Sequence, residues 1–205
     1  MKHELFELWK NFGIIKNEAL LRAFLEIPRE EFVLDEYIEH AYDDHPLPTL
    51  SGQTISQPST MMIMIDALDL KKDDVVLEIG AGTGYSAAIM SRLSDRIYTA
   101  ETITELIEMA RKNLEKQEIE NVEVMRDDGT LEFYMKFNKI IVTCACPAIP
   151  RVLIEQLGNQ GILILPIGPK SSQSMLKIKK EDDKLLVEEM GDFIFVPLQG
   201  MYGYD

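Results

Sequence analysis

One stretch restricts the architectures open to this chain more than any other. It is VVLEIGAGTGY, residues 75–85, where an apolar strand pattern runs directly into Gly80, Gly82 and Gly84 and then into the helical pattern YSAAIMSRL. Glycines at a strand end let the backbone turn sharply and approach a ligand closely. The G-x-G-x-G spacing brings the third glycine one residue too early for a dinucleotide fingerprint, and no Gly-Lys-Ser/Thr follows to make a phosphate loop. After this turn the pattern alternates. RIYTAE reads as a strand, TITELIEMARKNLEKQ as a helix with Thr102 and Glu105 in a capping box, and VEVMR as a strand. LEFYMKF is a helix candidate, KIIVTCA a strand, PRVLIEQL a helix ended by Gly158, and GILILPIG a strand. Strands separated by helices predict a parallel sheet covered on both faces.

The two ends of the chain depart from that alternation. NEALLRAFLEI has helical apolar spacing, with Asn17 as N-cap and Pro28 as its stop, and EFVLDEYIEHAY continues in the same helical style. STMMIMIDALDL reads as a helix leading into the first strand. At the other end SMLKIKK, KLLVEEM and DFIFVPL follow one another across short turns, which predicts an antiparallel end to the sheet. No repeat and no dividing linker interrupts the 205 residues, so one domain is expected. Its parts are a helical extension over 1–70, a ligand-binding βα core over 71–168 and the antiparallel strands over 169–205.

Composition narrows the partners. Asp and Glu number 35 against 21 Lys and Arg, a formal net charge of −14, and such a chain is poorly suited to gather a polyphosphate backbone or an anionic membrane. No apolar run approaches the ~20 residues of a membrane span. MKHELFELWK carries charges where a signal peptide would have its apolar core, so a cytoplasmic location is expected. Cys144 and Cys146, two apart on a strand pattern, would make a strained disulfide and have no His at ligand spacing; they read as small buried residues. Met61, Met62 and Met64 read as core packing and Trp9 as an anchor of the first helix. His40, His45, Asp43 and Asp44 show no ligand periodicity that would define a metal site.

Three carboxylates stand in series with the glycine turn. Glu101 ends the second strand, 21 residues past Gly80, where it can accept both hydrogen bonds of a ribose diol, and Asp128 follows the third strand, where it can accept from an adenine amino group. Glu78, just before the turn, adds negative character suited to a cationic group. An adenosine ligand with no phosphate and a positive charge matches this set, and S-adenosylmethionine is such a molecule. By contrast, Pro46 to Ile65 holds no Asp, Glu, Lys or Arg, although 27% of the chain is charged. Within it, GQTISQP offers hydroxyls, an amide and backbone N–H groups that can bind an anion without adding like charge.

The motifs IPREEFV, LPTLSGQTISQP, VLEIGAGTGYSAA, the Glu101 strand end, DDG at Asp127 to Gly129, IIVTCACPAIP, GILILPIG and FVPLQG occur in this order along nearly the whole chain. Together they resemble the protein-L-isoaspartate O-methyltransferase family. The resemblance implies an α/β fold, the Rossmann-like class I S-adenosylmethionine-dependent methyltransferase fold. It has a seven-stranded, mostly parallel sheet, antiparallel C-terminal strands and extra N-terminal helices. It also implies methyl transfer to the free α-carboxylate of L-isoaspartyl residues in damaged proteins, after which the ester collapses to a succinimide that reopens partly to aspartate. The active-site serine falls on Ser56, with Thr54, Ile55, Gln57, Val196 and Pro197 expected around the substrate. The cofactor set falls on Glu78, Gly80, Ala81, Gly82, Gly84, Tyr85, Glu101, Asp128, Gly129 and Thr143. Isoaspartyl proteins and peptides are the expected partners, with no nucleic acid, no membrane and a monomeric state. The chain departs from the family pattern at Asp127, where glycine is usual, and at Cys144 and Cys146. A different acceptor, such as another acid or RNA, and a cofactor-binding protein without turnover remain the alternatives.

Overall fold

Alternating burial lays out the sheet in the computed structural model, which describes residues 1–127, 135–182 and 184–204. Along a strand successive side chains point to opposite faces. Val76, Ile141, Ile162 and Ile164 accordingly pack into one apolar layer and Leu77, Ile140, Leu163 and Leu165 into the other. Both faces are therefore covered, as the near-continuous apolar strand patterns require.

A short hairpin comes first, β1 (Leu47–Pro48) with β2 (Thr54–Ile55). The main sheet is built from β3 (Val75–Ile79), β4 (Arg96–Glu101), β5 (Val122–Arg126), β6 (Phe137–Val142), β7 (Leu157–Ile167), β8 (Gln173–Glu181) and β9 (Lys184–Phe193). Its order is β5-β4-β3-β6-β7-β8-β9. The first five of these strands in sheet order are parallel, and β8 and β9 are each antiparallel to the strand before them. The helices are α1 (Lys2–Asn11), α2 (Glu18–Glu26), α3 (Pro58–Ala67), α4 (Tyr85–Met90), α5 (Thr104–Lys116) and α6 (Arg151–Gln156). The first five contribute to the core layer on one face, and α6 to the layer on the other. The seven-stranded, mostly parallel sheet with antiparallel final strands is the architecture that the alternation and the resemblance both lead to expect.

The N-terminal helices are fixed to that layer by particular contacts. The Asn17 side chain caps α2, accepting from the amides of Ala19 at 2.9 Å and Leu20 at 3.2 Å. Asp66 on α3 accepts from the Asn17 amide at 2.9 Å, tying the two helices together. Trp9 is fully buried edge-on against Phe24, and its indole N–H donates to Ser59 Oγ at 2.7 Å. Ser59 in turn donates through its amide and hydroxyl to the Asp44 carboxylate, at 2.9 and 2.7 Å. The start of α3, where the uncharged run ends, is thus held from two sides.

Several sequence expectations give way. The residues after Pro28 form short 3-10 turns, Arg29–Phe32 and Asp35–His40, instead of a continuous helix. No capping box opens α5; the Glu101 carboxylate accepts from the amides of Thr102 at 2.9 Å and Ile103 at 3.1 Å and takes over that role. Gly158 lies inside β7, because α6 passes into the strand without a turn. DFIFVPL makes no third tail strand: β9 ends at Phe193, and the chain beyond it crosses to the end of β6. The helix candidate LEFYMKF lies largely outside the described residues. Substituting Asn17→Ala removes two bonds to otherwise orphaned helix amides and is expected to cost about 1 kcal/mol. Urea denaturation of the variant beside wild type checks this, and an unchanged midpoint would show the cap to be replaceable.

Candidate active site

The glycine turn sits where the strand order reverses. From β3 the chain winds outward through β4 and β5, then returns to β6 on the other side of β3. Ligands of open α/β sheets bind in the crevice at the carboxyl ends of the strands at such a point. Gly80, Gly82 and Gly84 have φ of 97°, 52° and 86°, in the region that L side chains rarely adopt. At Gly80 a Cβ would also fall inside the contact distance of Thr143 Oγ1, whose hydroxyl donates to the Gly80 carbonyl at 2.7 Å. The amides of Gly80 and Ala81 both donate to the Ala100 carbonyl, at 2.9 and 3.1 Å, so the turn is closed against β4 as well as β6.

Glu101, at the end of β4, is 8% exposed. Besides holding the first amides before α5, it accepts from the Gly82 amide at 3.0 Å, so one carboxylate bridges the glycine turn and the next helix. Glu78 is fully buried behind the turn. It accepts from Ser86 Oγ and, at 2.6 Å, from Thr99 Oγ1. Burial pushes its carboxyl up to about 7, against the pull of those two hydroxyls and with a smaller push from Glu101.

The uncharged run forms the β1–β2 hairpin and the chain that leads from it into α3. Leu47 and Ile55 are opposite each other and buried, which anchors the hairpin and leaves Thr54 exposed and Ser56 half-buried. No other described residue engages the Ser56 hydroxyl. Its carbonyl accepts from Arg29 Nη2 at 2.7 Å. Arg29 is fully buried, donates through Nε to the Ala41 carbonyl at 2.7 Å and lies over the Tyr85 ring at 5.0 Å. Burial lowers its pKa, but a guanidinium starts so far above neutrality that it keeps its charge.

One cavity joins these parts. Across the strand ends it runs from Asp127 after β5, past Glu101, the turn from Gly80 to Thr83 and Thr143, to Cys144 after β6. Gln53, Thr54, Ile55 and Ser56 line it, as do Val196, Pro197, Leu198 and Gln199. The latter segment is docked on the end of β6 by the Ala145 amide donating to the Val196 carbonyl and the Leu198 amide donating to the Ala145 carbonyl, both at 2.8 Å. Two buried lining hydroxyls, Thr83 Oγ1 and Tyr85 Oη, have no hydrogen-bond partner among the described residues. Buried polar groups are normally satisfied, so these two hydroxyls are open to a ligand in the cavity. Together with the Cβ-free approach at Gly80 and the Glu101 carboxylate, they suit a polar nucleoside lying on the turn.

Of the residues singled out from sequence, Thr54, Ile55, Ser56, Gly80, Ala81, Gly82, Tyr85, Glu101, Thr143, Val196 and Pro197 line the cavity. Three do not. Gln57 precedes α3 and accepts from Thr60 Oγ1 at 3.2 Å, Gly84 packs its backbone against Ala110, and Glu78 stands behind Ser86, which is the lining residue. Asp128 and Gly129 lie outside the described residues. Met61 and Met64 are buried core residues, as expected, and also lining residues. Cys144 and Cys146 are free and buried, and among the described residues no cluster of His, Cys, Asp and Glu is arranged for a metal. Sequence reasoning missed Thr83, Ser86, Ile103 and Leu106; only their position one or two residues from the glycines or Glu101 could have flagged the first three.

An open, doubly covered sheet with a nucleoside-shaped crevice on a G-x-G-x-G turn defines the class I methyltransferase fold. Comparison with known proteins narrows this. The model of the protein-L-isoaspartate(D-aspartate) O-methyltransferase family matches residues 1–202. The protein-L-isoaspartate O-methyltransferase of Dictyoglomus turgidum is 43% identical over 205 residues, covering 99% of this chain and 93% of its own length. A solved protein-L-isoaspartate O-methyltransferase superposes with a TM-score of 0.89 at 33% identity, over 99% of this chain and 67% of that one. A Plasmodium falciparum protein, described as a putative member and solved with S-adenosyl-L-homocysteine, shares the fold at a TM-score of 0.84 and 21% identity, over 96% of this chain and 97% of that one. The chain belongs to the protein-L-isoaspartate(D-aspartate) O-methyltransferase family.

The buried Glu78 makes stability depend on pH. Its folded carboxyl holds a proton up to about 7, whereas an unperturbed one releases it near 4.5. The folded state therefore binds more protons between these values, and its contribution is complete below about 4.5 and lost as pH rises through about 7. Glu78→Gln should remove that slope. Urea midpoints at pH 5 and pH 8 should fall across the interval in wild type and fall less in the variant; parallel behaviour of the two proteins would refute the assignment to Glu78.

Proposed function

We propose that this protein transfers a methyl group from S-adenosylmethionine to the free α-carboxylate of L-isoaspartyl residues in damaged proteins and peptides. The single observation that carries this function is the common cavity. Its glycine-turn end is flanked by Glu101 and Asp127, and the Ser56 loop and the Val196–Leu198 segment, neither bearing a charge, face the same space. Family membership supports the same activity.

S-adenosylmethionine, when bound, supplies a methyl group on a positively charged sulfur, an electrophile that needs no further activation. Gly80 to Gly82, Thr83, Tyr85, Glu101 and Thr143 are the residues proposed to hold it. Glu101 offers a carboxylate for the ribose hydroxyls. Glu78 contributes from behind the wall, through Ser86 and through whatever charge its raised pKa leaves it. The acidic surroundings favour a cationic ligand over a phosphate-bearing one.

The acceptor is a carboxylate with a pKa near 4, ionised at neutral pH, and so it needs no general base. None is offered among the described residues: the described cavity lining includes no His, Lys or Arg. The protein's share of the chemistry is therefore alignment and the exclusion of water. We assign Ser56 Oγ, free of other partners, to donate to the carboxylate and fix its angle. Thr54 and Ile55, on the β2 edge, and Val196 and Pro197, on the opposite wall, are assigned to the flanking peptide. Gln57 is left a supporting role at the start of α3.

The test is methyl transfer to matched isoaspartyl and aspartyl peptides. Wild type is expected to label only the isoaspartyl peptide, and Ser56→Ala to lose roughly 10- to 100-fold in kcat/KM, the scale of one oriented hydrogen bond to a charged group. Binding of S-adenosylhomocysteine should be unchanged in the variant. Equal rates for Ser56→Ala and wild type would remove Ser56 from its role, and labelling of both peptides alike would remove isoaspartate as the substrate.

A further inference from the structure

An anion entering this site meets a protein of net charge −14 and a cavity whose described ionisable lining includes Glu101 and Asp127 but no cation. Directly behind the Ser56 loop, however, stands Arg29. A buried guanidinium is costly to desolvate and is usually paired with a carboxylate. This one forms an ion pair with no described residue. Nε and Nη2 reach only the neutral carbonyls of Ala41 and Ser56, both at 2.7 Å, and Nη1 has no partner. Its remaining contact is the face of Tyr85, a residue whose own hydroxyl is unpartnered and lines the cavity.

The local structure is built to keep Arg29 in place. Its backbone amide donates to the Tyr42 hydroxyl at 3.0 Å, and Tyr42 donates in turn to Glu30. The adjacent acid is thus occupied by a phenol, and Asp44, whose carboxylate is close enough to act on the guanidinium through space, is itself held by Ser59, so no described acid pairs with Arg29 directly. Phe32, three residues on, packs against the same Tyr85 ring at 5.3 Å. One 3-10 turn therefore grips Tyr85 from two sides and the Ser56 backbone from below.

We propose that Arg29 is the positioning residue for the substrate carboxylate. It fixes the Ser56 main chain so that the hydroxyl points into the cavity, and its charge, not paired directly with any described carboxylate, offsets the acids at the other end of the site. It touches neither substrate nor cofactor in this role and acts through Ser56 and Tyr85. The inference rests on the proposed carboxyl methylation, since only an anionic acceptor gains from a fixed positive charge behind a neutral loop.

Two neutral variants and one charged variant test it. Arg29→Met removes the charge and the donors, Arg29→Gln keeps a donor but no charge, and Arg29→Lys keeps the charge. For each, KM and kcat for an isoaspartyl peptide are measured, together with inhibition by the same peptide carrying a neutral α-carboxamide and the dissociation constant of S-adenosylhomocysteine. Expected for either neutral variant is a KM raised by about tenfold, the scale of one lost interaction with a charged group. Carboxamide inhibition and S-adenosylhomocysteine binding should stay within about twofold, and Arg29→Lys should recover most of the loss in KM. The inference is overturned if a neutral variant keeps the wild-type KM. It is equally overturned if carboxylate and carboxamide peptides weaken in step, or if S-adenosylhomocysteine binding is lost with them, since Arg29 would then be a brace for the fold. Should Arg29→Met fail to fold, Arg29→Gln decides. Absence of turnover by wild type on the isoaspartyl peptide would instead remove the methylation on which the inference rests.

Discussion

The carboxyl end of β3 is where the architecture is tied together. Gly80 and Ala81 share the Ala100 carbonyl on one side, and the Gly80 carbonyl takes the Thr143 hydroxyl on the other. The strands on either side of β3 are thus locked to the same few atoms, and at Gly80 an added Cβ would run into the Thr143 hydroxyl. Glu101 extends the tie to Gly82 and to the amides ahead of α5, and the Asn113 side chain adds a bond at 2.9 Å from within α5 back to the Thr83 carbonyl. Holding the crevice from four directions pre-organises it, which limits what binding must spend on ordering the site.

Charge is distributed to match. The two acids among the described lining residues stand at the end of β4 and just after β5, while the walls drawn from the Ser56 loop and from the Val196–Leu198 segment are neutral. A cationic ligand and an anionic one are thus each given compatible surroundings within a single space. The neutral walls come from outside the βα core, whose described cavity-lining acids stand at β4 and β5. The N-terminal hairpin and the C-terminal chain supply those walls.

How much of this could be read from the sequence depends on how local each constraint is. The glycine turn and the Asn17 cap are set by their own residues and were legible, as was the absence of charge from residues 46 to 65. Glu101 was legible as a polar group at a strand end, but its carboxylate also replaced the capping box expected from Thr102 and Glu105. Two backbone amides within reach of one carboxylate outcompete a side chain that must first fold back. Gly158 read as a helix stop because glycine commonly is one; pairing of β7 with β6 overrode that preference. Arg29 was hidden for a different reason. Its partners are the carbonyls of Ala41 and Ser56, 12 and 27 residues away, and a carbonyl leaves no trace in the identity of the residue that bears it. The places of Asp128 and Gly129 fall outside the described residues.

The docking of Val196 to Leu198 on Ala145 has a consequence for how the molecule comes into being. One wall of the cleft belongs to a segment close to residue 56 and the other to a segment close to residue 198, so both walls exist only after about 140 intervening residues have been made and folded between them. A ribosome-borne nascent chain therefore has no complete groove to grip a peptide until residue 198 has emerged and docked on Ala145.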